Sequence, residues 1–113
     1  MKKAKNENYL ERIPVHSPLI GYKVDDSEIV TLEKENTGVF NKIAQKLFKR
    51  PKISYIHLDS QGSFVWQLID GQKRILDMAD PVKEKFGEDA EPLYERLAKY
   101  VQILESYGFI SFK

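Results

Sequence analysis

The sequence predicts an α+β fold, in which a small antiparallel sheet of about three strands precedes a bundle of three helices. Two observations predict this fold: apolar and polar residues alternate in short runs between residues 20 and 35, and the apolar period is about 3.6 residues over most of the chain after residue 59. The length of 113 residues suits one domain, and a hydrophobic content of 42% can build one modest core. The same apolar content excludes disorder of the whole chain.

Three segments are predicted to be strands. Alternating runs at residues 20–24 and 29–35 suit strands, because successive side chains of a strand point to opposite faces. The polar residues 25–28 between these runs favour a turn, so the two strands should form a hairpin. The third strand is expected over residues 53–58, which are rich in β-branched and aromatic side chains.

An extra amphipathic helix is predicted over residues 39–50, between the second and third strands. Apolar side chains repeat there at helical spacing: Phe40, Ile43, Ala44, Leu47 and Phe48. Pro51 ends this helix. Lysines occupy its other face, which is consistent either with a solvated surface or with binding to an anionic partner.

Three further helices should follow the third strand. Asp59 can cap the first of them, which we expect to end at Gly71. Residues 75–86 form either one helix kinked at Pro81 or two short helices, closed by Gly87.

The last predicted helix has the strongest apolar stripe of the chain. It begins at Pro92 and ends at Gly108. Its apolar face consists of Leu93, Leu97, Tyr100, Val101 and Leu104. Residues 109–112 after it are extended and can add a terminal strand.

Residues 1–18 are predicted to be a flexible tail, because they are polar and contain Pro14 and Pro18. A single domain is expected over residues 19–113. The basic start lacks the apolar run of a signal peptide, and no stretch approaches the roughly 20 apolar residues that span a bilayer. The absence of cysteine excludes disulfides and thiolate metal sites. We therefore expect a cytoplasmic protein with no membrane partner.

The candidate catalytic residues have simple structural explanations. His57 lies near Asp59, Ser60 and Ser63, but a nucleophilic triad needs a base that reaches the nucleophile. The chain turns from strand to helix at this point, and serines are common where helices begin. The only other histidine, His16, lies in the tail, and no Gly-rich phosphate loop is present. We therefore expect no catalytic activity, no metal and no cofactor.

A winged helix-turn-helix regulator that binds DNA is the alternative function, since three helices with small strands describe that fold. The charge distribution disfavours it. Residues 1–58 contain eleven Lys/Arg and seven Asp/Glu, whereas residues 59–113 contain seven and ten. The helices that would face DNA lie in the acidic half, although phosphate contacts usually dominate the affinity for DNA. We therefore expect no nucleic-acid partner.

Binding of an extended peptide fits the predicted sheet better. A sheet with an open edge can accept a peptide as an additional strand. The strand at residues 53–58 should lie beside the last helix, which carries Tyr100 and Ile103. We expect Ile56 and Leu58 to belong to the core, so that the edge of the strand would bind. A structural or dimerisation module is a third possibility.

Short segments of the second half carry a resemblance to a known family. They read IHLD at residues 56–59, GSFVWQLIDG at residues 62–71, LAKY at residues 97–100 and LESYGFI at residues 104–110. Together they resemble the pyrroloquinoline-quinone biosynthesis protein D (PqqD) family.

The resemblance implies a winged-helix-like domain without catalytic activity. Such domains bind the leader segment of a ribosomally made precursor peptide and present it to a modifying enzyme, often a radical S-adenosylmethionine (SAM) maturase. In the family, the leader pairs with the third strand in a groove walled by the last helix. Carried onto this sequence, the peptide-binding residues are Ile53, Ser54, Tyr55, Ile56, His57, Arg96, Lys99, Tyr100 and Ile103. We expect a monomer or a weak homodimer.

Overall fold

A computed structural model describes residues 9–35 and 53–113. Within them the regular elements are β1 (Pro14–His16), β2 (Ile20–Val24), β3 (Val30–Glu35), β4 (Ile53–His57), α1 (Ser60–Leu68), α2 (Ala79–Phe86), α3 (Leu93–Ser106) and β5 (Ile110–Phe112). Short 3-10 turns, Leu76–Met78 and Gly87–Ala90, flank α2. The predicted α+β class is confirmed. The basic helix predicted over residues 39–50 lies outside the described residues.

The three-stranded sheet has the order β2-β3-β4, with both pairs antiparallel. The predicted hairpin is confirmed, and Val24 stands opposite Val30 at its closed end. Asp25 organises the turn, because its Oδ1 accepts the backbone N–H groups of Ser27 at 2.8 Å and Ile29 at 3.0 Å. Ile29 therefore belongs to the turn, and β3 begins one residue later than the alternation predicts.

Part of the predicted tail has regular structure, because Pro14–His16 form β1. This strand pairs antiparallel with β5, and Pro14 stands opposite Phe112. Pro14 is compatible with a strand because it is the first residue of a strand at a sheet edge, where a missing N–H disrupts little of the ladder. The same pairing confirms a terminal strand within residues 109–112.

His16 is part of an aromatic cluster that joins β1 to α1. Its ring stacks on Trp66 with a centroid distance of 3.9 Å, and Tyr22 meets both rings edge-on. The Nε2 atom of His16 lies 2.9 Å from the backbone oxygen of Trp66. Burial lowers the pKa of His16 below its usual value, and the hydrogen bond to Trp66 opposes this shift. The neutral imidazole is therefore the form that suits this packing.

The cap predicted for α1 is confirmed, since the Asp59 carboxylate accepts the backbone N–H of Gly62 at 2.7 Å. The helix ends at Leu68, before Gly71. The next carboxylate, that of Asp70, accepts the N–H groups of Gln72 and Lys73. This local turn competes with continuation of the helix.

The segment over residues 75–86 is closer to the second of its two predicted forms, with a 3-10 turn followed by α2. Pro81 lies in the first turn of α2, where its missing N–H interrupts no helical hydrogen bond. Gly87 closes α2 with a φ of 57°, as expected. Gly108, with a φ of 77°, follows α3 two residues after Ser106.

The core lies between one face of the three-stranded sheet and the helices, and α2 contacts both α1 and α3. Its largest fully buried apolar side chains are Trp66, Leu32, Ile75, Met78, Val30 and Val101. No helix among the described residues combines the length and the hydropathy needed to cross a bilayer.

Ser63 connects the sheet to α1. Its Oγ accepts the backbone N–H of Val30 at 2.8 Å and donates to the backbone oxygen of Leu58 at 3.3 Å. The side chain is fully buried. Ser63 is thus a structural residue that joins the sheet to α1.

Candidate functional site

β4 is an edge strand in the part of the chain that the structure describes, because the sheet ends there in the order β2-β3-β4. At its start, Ile53 stands opposite Glu35 and Ser54 opposite Lys34. Both Ile53 and Ser54 are half-buried. Among the described strands, β3 is the one that pairs with β4.

The hydrogen-bond pattern of β4 shows which backbone groups face the edge. Leu58, directly after the strand, donates its N–H to the oxygen of Val30 at 2.9 Å. Hydrogen-bonded and non-bonded pairs alternate along an antiparallel ladder, so the backbone of Ile56 also faces β3. The backbone N–H and C=O groups of Tyr55 and His57 are consequently directed away from β3. They are the groups that a further strand would meet.

The side chains of β4 divide between the two faces of the sheet. Ile56 and Leu58 pack against the core, as predicted. Tyr55 is 59% exposed. His57 is also exposed, and its Nδ1 lies 2.9 Å from the Oγ1 of Thr31. The histidine is therefore held by a neighbouring strand.

α3 brings the four helical residues of the predicted site to one side. Arg96, Tyr100 and Ile103 follow each other at spacings of four and three residues, with Lys99 beside them. The buried stripe of this helix consists of Leu93, Leu97, Val101 and Leu104. Arg96, Lys99 and Ile103 are exposed, and Tyr100 is half-buried. Tyr107, 63% exposed, extends the row by one turn; the sequence prediction missed it, although the same spacing includes it.

Tyr100 fixes α3 to the beginning of α1. Its hydroxyl donates to the backbone oxygen of Gly62 at 3.1 Å. A Cβ atom at position 62 would lie 2.7 Å from that hydroxyl and 2.9 Å from Oδ1 of Asp59, so a larger residue there would displace one or both of these atoms. Burial, with a smaller contribution from the negative charge of Asp59, raises the pKa of Tyr100 far above its usual value. The phenol stays protonated and can keep donating.

A pocket of about 130 Å³ opens between the three helices, next to Tyr100. Its apolar lining consists of Val65, Val82, Ala90, Leu93 and Leu97. Asp59, Gln61, Gly62 and Arg96 complete the lining together with Tyr100. Apolar walls with a few polar groups are typical of a binding pocket.

Arg96 is held beside this pocket by backbone oxygens. Its Nη1 donates to the oxygen of Asp89 at 2.6 Å and lies 3.5 Å from that of Glu91. The ion pairs found among residues 9–35 and 53–113 do not include Arg96. Its guanidinium therefore forms no ion pair with a carboxylate of the described residues.

The structure brings together two of the predicted site residues, Arg96 and Tyr100, in the lining of one pocket. The exposed residues Lys99 and Ile103 lie on the same helix but do not line the pocket, and neither do the residues of β4. Gly62 was part of the family motif but was not predicted as a site residue. The sequence feature that could have identified it is a glycine at the third position of a predicted helix, since a glycine inside a helix suggests close packing.

Groups of three or more His, Cys, Asp or Glu side chains that could hold a metal ion do not occur in the described ranges. The features of this region that could bind a partner are the edge of β4, the exposed face of α3 and the small pocket.

The chain matches the model of a known family. The family model described as Coenzyme PQQ synthesis protein D (PqqD) matches residues 28–110. No protein of curated function and no solved structure matches the chain. The matched range contains β4, α3 and all residues that line the pocket.

Proposed function

We propose that this chain, which belongs to the PqqD family, is a non-catalytic adaptor that binds the leader segment of a ribosomally made precursor peptide and presents it to a radical SAM maturase. The family description supports an accessory role in coenzyme PQQ synthesis. The proposal includes the winged-helix-like arrangement expected for the family, with the β2–β3 hairpin as the wing. It locates the adaptor in the cytoplasm, where ribosomes make the precursor.

The outward backbone groups of Tyr55 and His57 carry this proposal. A leader in extended conformation would pair with them and add a strand beside β4. Backbone pairing supplies affinity for many sequences, so specificity must come from side-chain contacts. Arg96, Lys99, Tyr100 and Ile103 on α3 are proposed to supply those contacts.

An adaptor of this kind needs no catalytic group. Holding a peptide near an enzyme converts the encounter of substrate and active site into an intramolecular event. The effective concentration reaches the millimolar range for short flexible connections.

Titration with candidate leader peptides from short reading frames near the gene, followed by backbone amide shifts, tests the proposal. We expect shifts in residues 53–57 and 93–104. Shifts absent from both segments would contradict the proposal.

One proline substitution at each edge of the sheet makes this test specific to β4. In Tyr55→Pro the outward N–H of β4 is lost while the ladder to β3 remains, because proline is tolerated where the N–H faces away from the sheet. Val24→Pro is the matched control on β2, whose N–H at this position faces the opposite edge by the same alternation. We expect Tyr55→Pro to weaken peptide binding at least about tenfold, which is about 1.4 kcal/mol, and Val24→Pro to leave it unchanged. Equal affinity of both variants would refute pairing at β4.

A further inference from the structure

We infer that the pocket between α1, α2 and α3 binds one large apolar side chain of the guest peptide, and that an acidic neighbour of this side chain pairs with Arg96. This inference rests on the proposed function. It defines the class of peptide that the adaptor would select.

The size of the pocket determines the kind of occupant. Cavities of about 150 Å³ with aliphatic and aromatic walls accept benzene, whereas pockets for cofactors and drug-sized ligands measure about 300–1,000 Å³. The pocket here has about 130 Å³. It therefore suits a single side chain of the size of Leu, Ile or Phe.

The space exists because two small residues line it. Ala90 is 2% exposed and contributes only a methyl group, while Gly62 contributes no side chain. Val65, Val82 and Leu97 supply apolar walls. An apolar side chain that enters would exchange water for these walls, which is favourable.

Arg96 adds charge selectivity at the same place. The two backbone oxygens described above fix its guanidinium beside the pocket, and a guanidinium has further N–H groups that can bind a carboxylate. An Asp or Glu next to the apolar anchor would meet this cation. A basic residue in that position would lack this pairing.

The pocket begins close to the end of β4. Asp59, which belongs to its lining, is only two residues beyond His57, so it lies at most about 7 Å further along the chain. A guest that pairs with β4 and extends past His57 would reach the pocket. Pairing at the edge and anchoring in the pocket can therefore act on one continuous peptide.

Selection of a randomised 12-residue display library on the immobilised full chain tests the inference. We expect selected peptides to contain Leu, Ile or Phe next to Asp or Glu. The same selection on Ala90→Leu, in which the new side chain fills the pocket, should lose the apolar preference. The same consensus from both proteins would overturn the inference. No enrichment on either, together with no amide shifts at β4, would instead contradict the proposed function.

A second measurement does not depend on the folding of Ala90→Leu. A synthetic peptide with the selected sequence should bind wild-type protein about ten- to a hundredfold more tightly than its version with the apolar anchor replaced by Ala, as expected for burial of one such side chain. Equal affinities would refute the anchor while leaving binding at β4 intact.

The acidic neighbour has its own matched pair of variants. Arg96→Gln should reduce the affinity for the acidic peptide and not for its neutral analogue. Lys83→Gln removes the same charge from an exposed position of α2 outside the pocket and should have no effect. If Arg96→Gln lost affinity for both peptides, Arg96 would have a structural role and would not recognise the acidic residue.

Discussion

Replacing Gly62 by alanine tests the contact that fixes α3 to α1. The new methyl group would lie 2.7 Å from the Tyr100 hydroxyl and 2.9 Å from Oδ1 of Asp59. Both atoms are the ends of side chains, so each can move, but each would then give up a hydrogen bond. Tyr100 would lose its bond to the oxygen of Gly62, and Asp59 would cap α1 less well.

The expected change in the free energy of unfolding follows from these parts. The tyrosine hydrogen bond contributes about 1 kcal/mol, and the cap contributes about 1 kcal/mol. Alanine in a helix recovers up to about 1 kcal/mol relative to glycine. Gly62→Ala should therefore destabilise the protein by about 1 kcal/mol net. Tyr100→Phe, which removes only the hydroxyl, should cost about 1 kcal/mol.

The double variant separates this mechanism from a general loss of stability. Once the hydroxyl is absent, the methyl group no longer displaces it, so Gly62→Ala with Tyr100→Phe should also cost only about 1 kcal/mol, a coupling of about 1 kcal/mol. Urea denaturation of the four proteins measures it. Gly21→Ala is the control, since a Cβ there makes only an ordinary contact of 3.6 Å with Glu33. Additive effects of Gly62→Ala and Tyr100→Phe would refute the reasoning.

Three further predictions concern the same framework. Ser63→Ala leaves the buried N–H of Val30 without its acceptor and should cost about 1–3 kcal/mol in urea denaturation; a loss below about 0.5 kcal/mol would contradict this. Asp59→Ala should cost about 0.5–2 kcal/mol, whereas Asp59→Asn should retain most of the cap, so equal losses would argue against capping. Because burial lowers the pKa of His16 below 6.5, the unfolded chain binds the proton more readily, and stability should fall as the pH drops below about 6.5. Denaturation curves between pH 7 and 5 should show this dependence in wild type and in His57→Gln but not in His16→Gln; its persistence in His16→Gln would assign it elsewhere.

The elements with a clear period were predictable from the sequence. The β2–β3 hairpin, the Asp59 cap and the apolar stripe of α3 each follow from local chemistry, and the structure has all three. β1 was not predictable in this way. Three residues carry too little periodicity, and Pro14 locally disfavours a strand, but pairing with β5 overrides this preference.

The candidate site was predictable only in part. The predicted site residues of α3 follow from helical spacing, which places Arg96 and Tyr100 on one side of the helix. The pocket depends on how three helices approach one another, and neither Ala90 nor Gly62 signals by itself that space is left beside it. The packing of His16 was also not predictable, because its ring stacks on Trp66, which is 50 residues away in the chain.

The pairing of β1 with β5 places Pro14 directly beside Phe112, so the first and last strands of the described fold lie side by side. Such an arrangement lets a domain be grafted into a loop of a larger polypeptide, or permuted by joining its ends through a short linker. It also makes the ends interdependent: trimming the last strand would uncover the buried Pro14, and trimming the first would remove the backbone partner of Lys113 at Ile13.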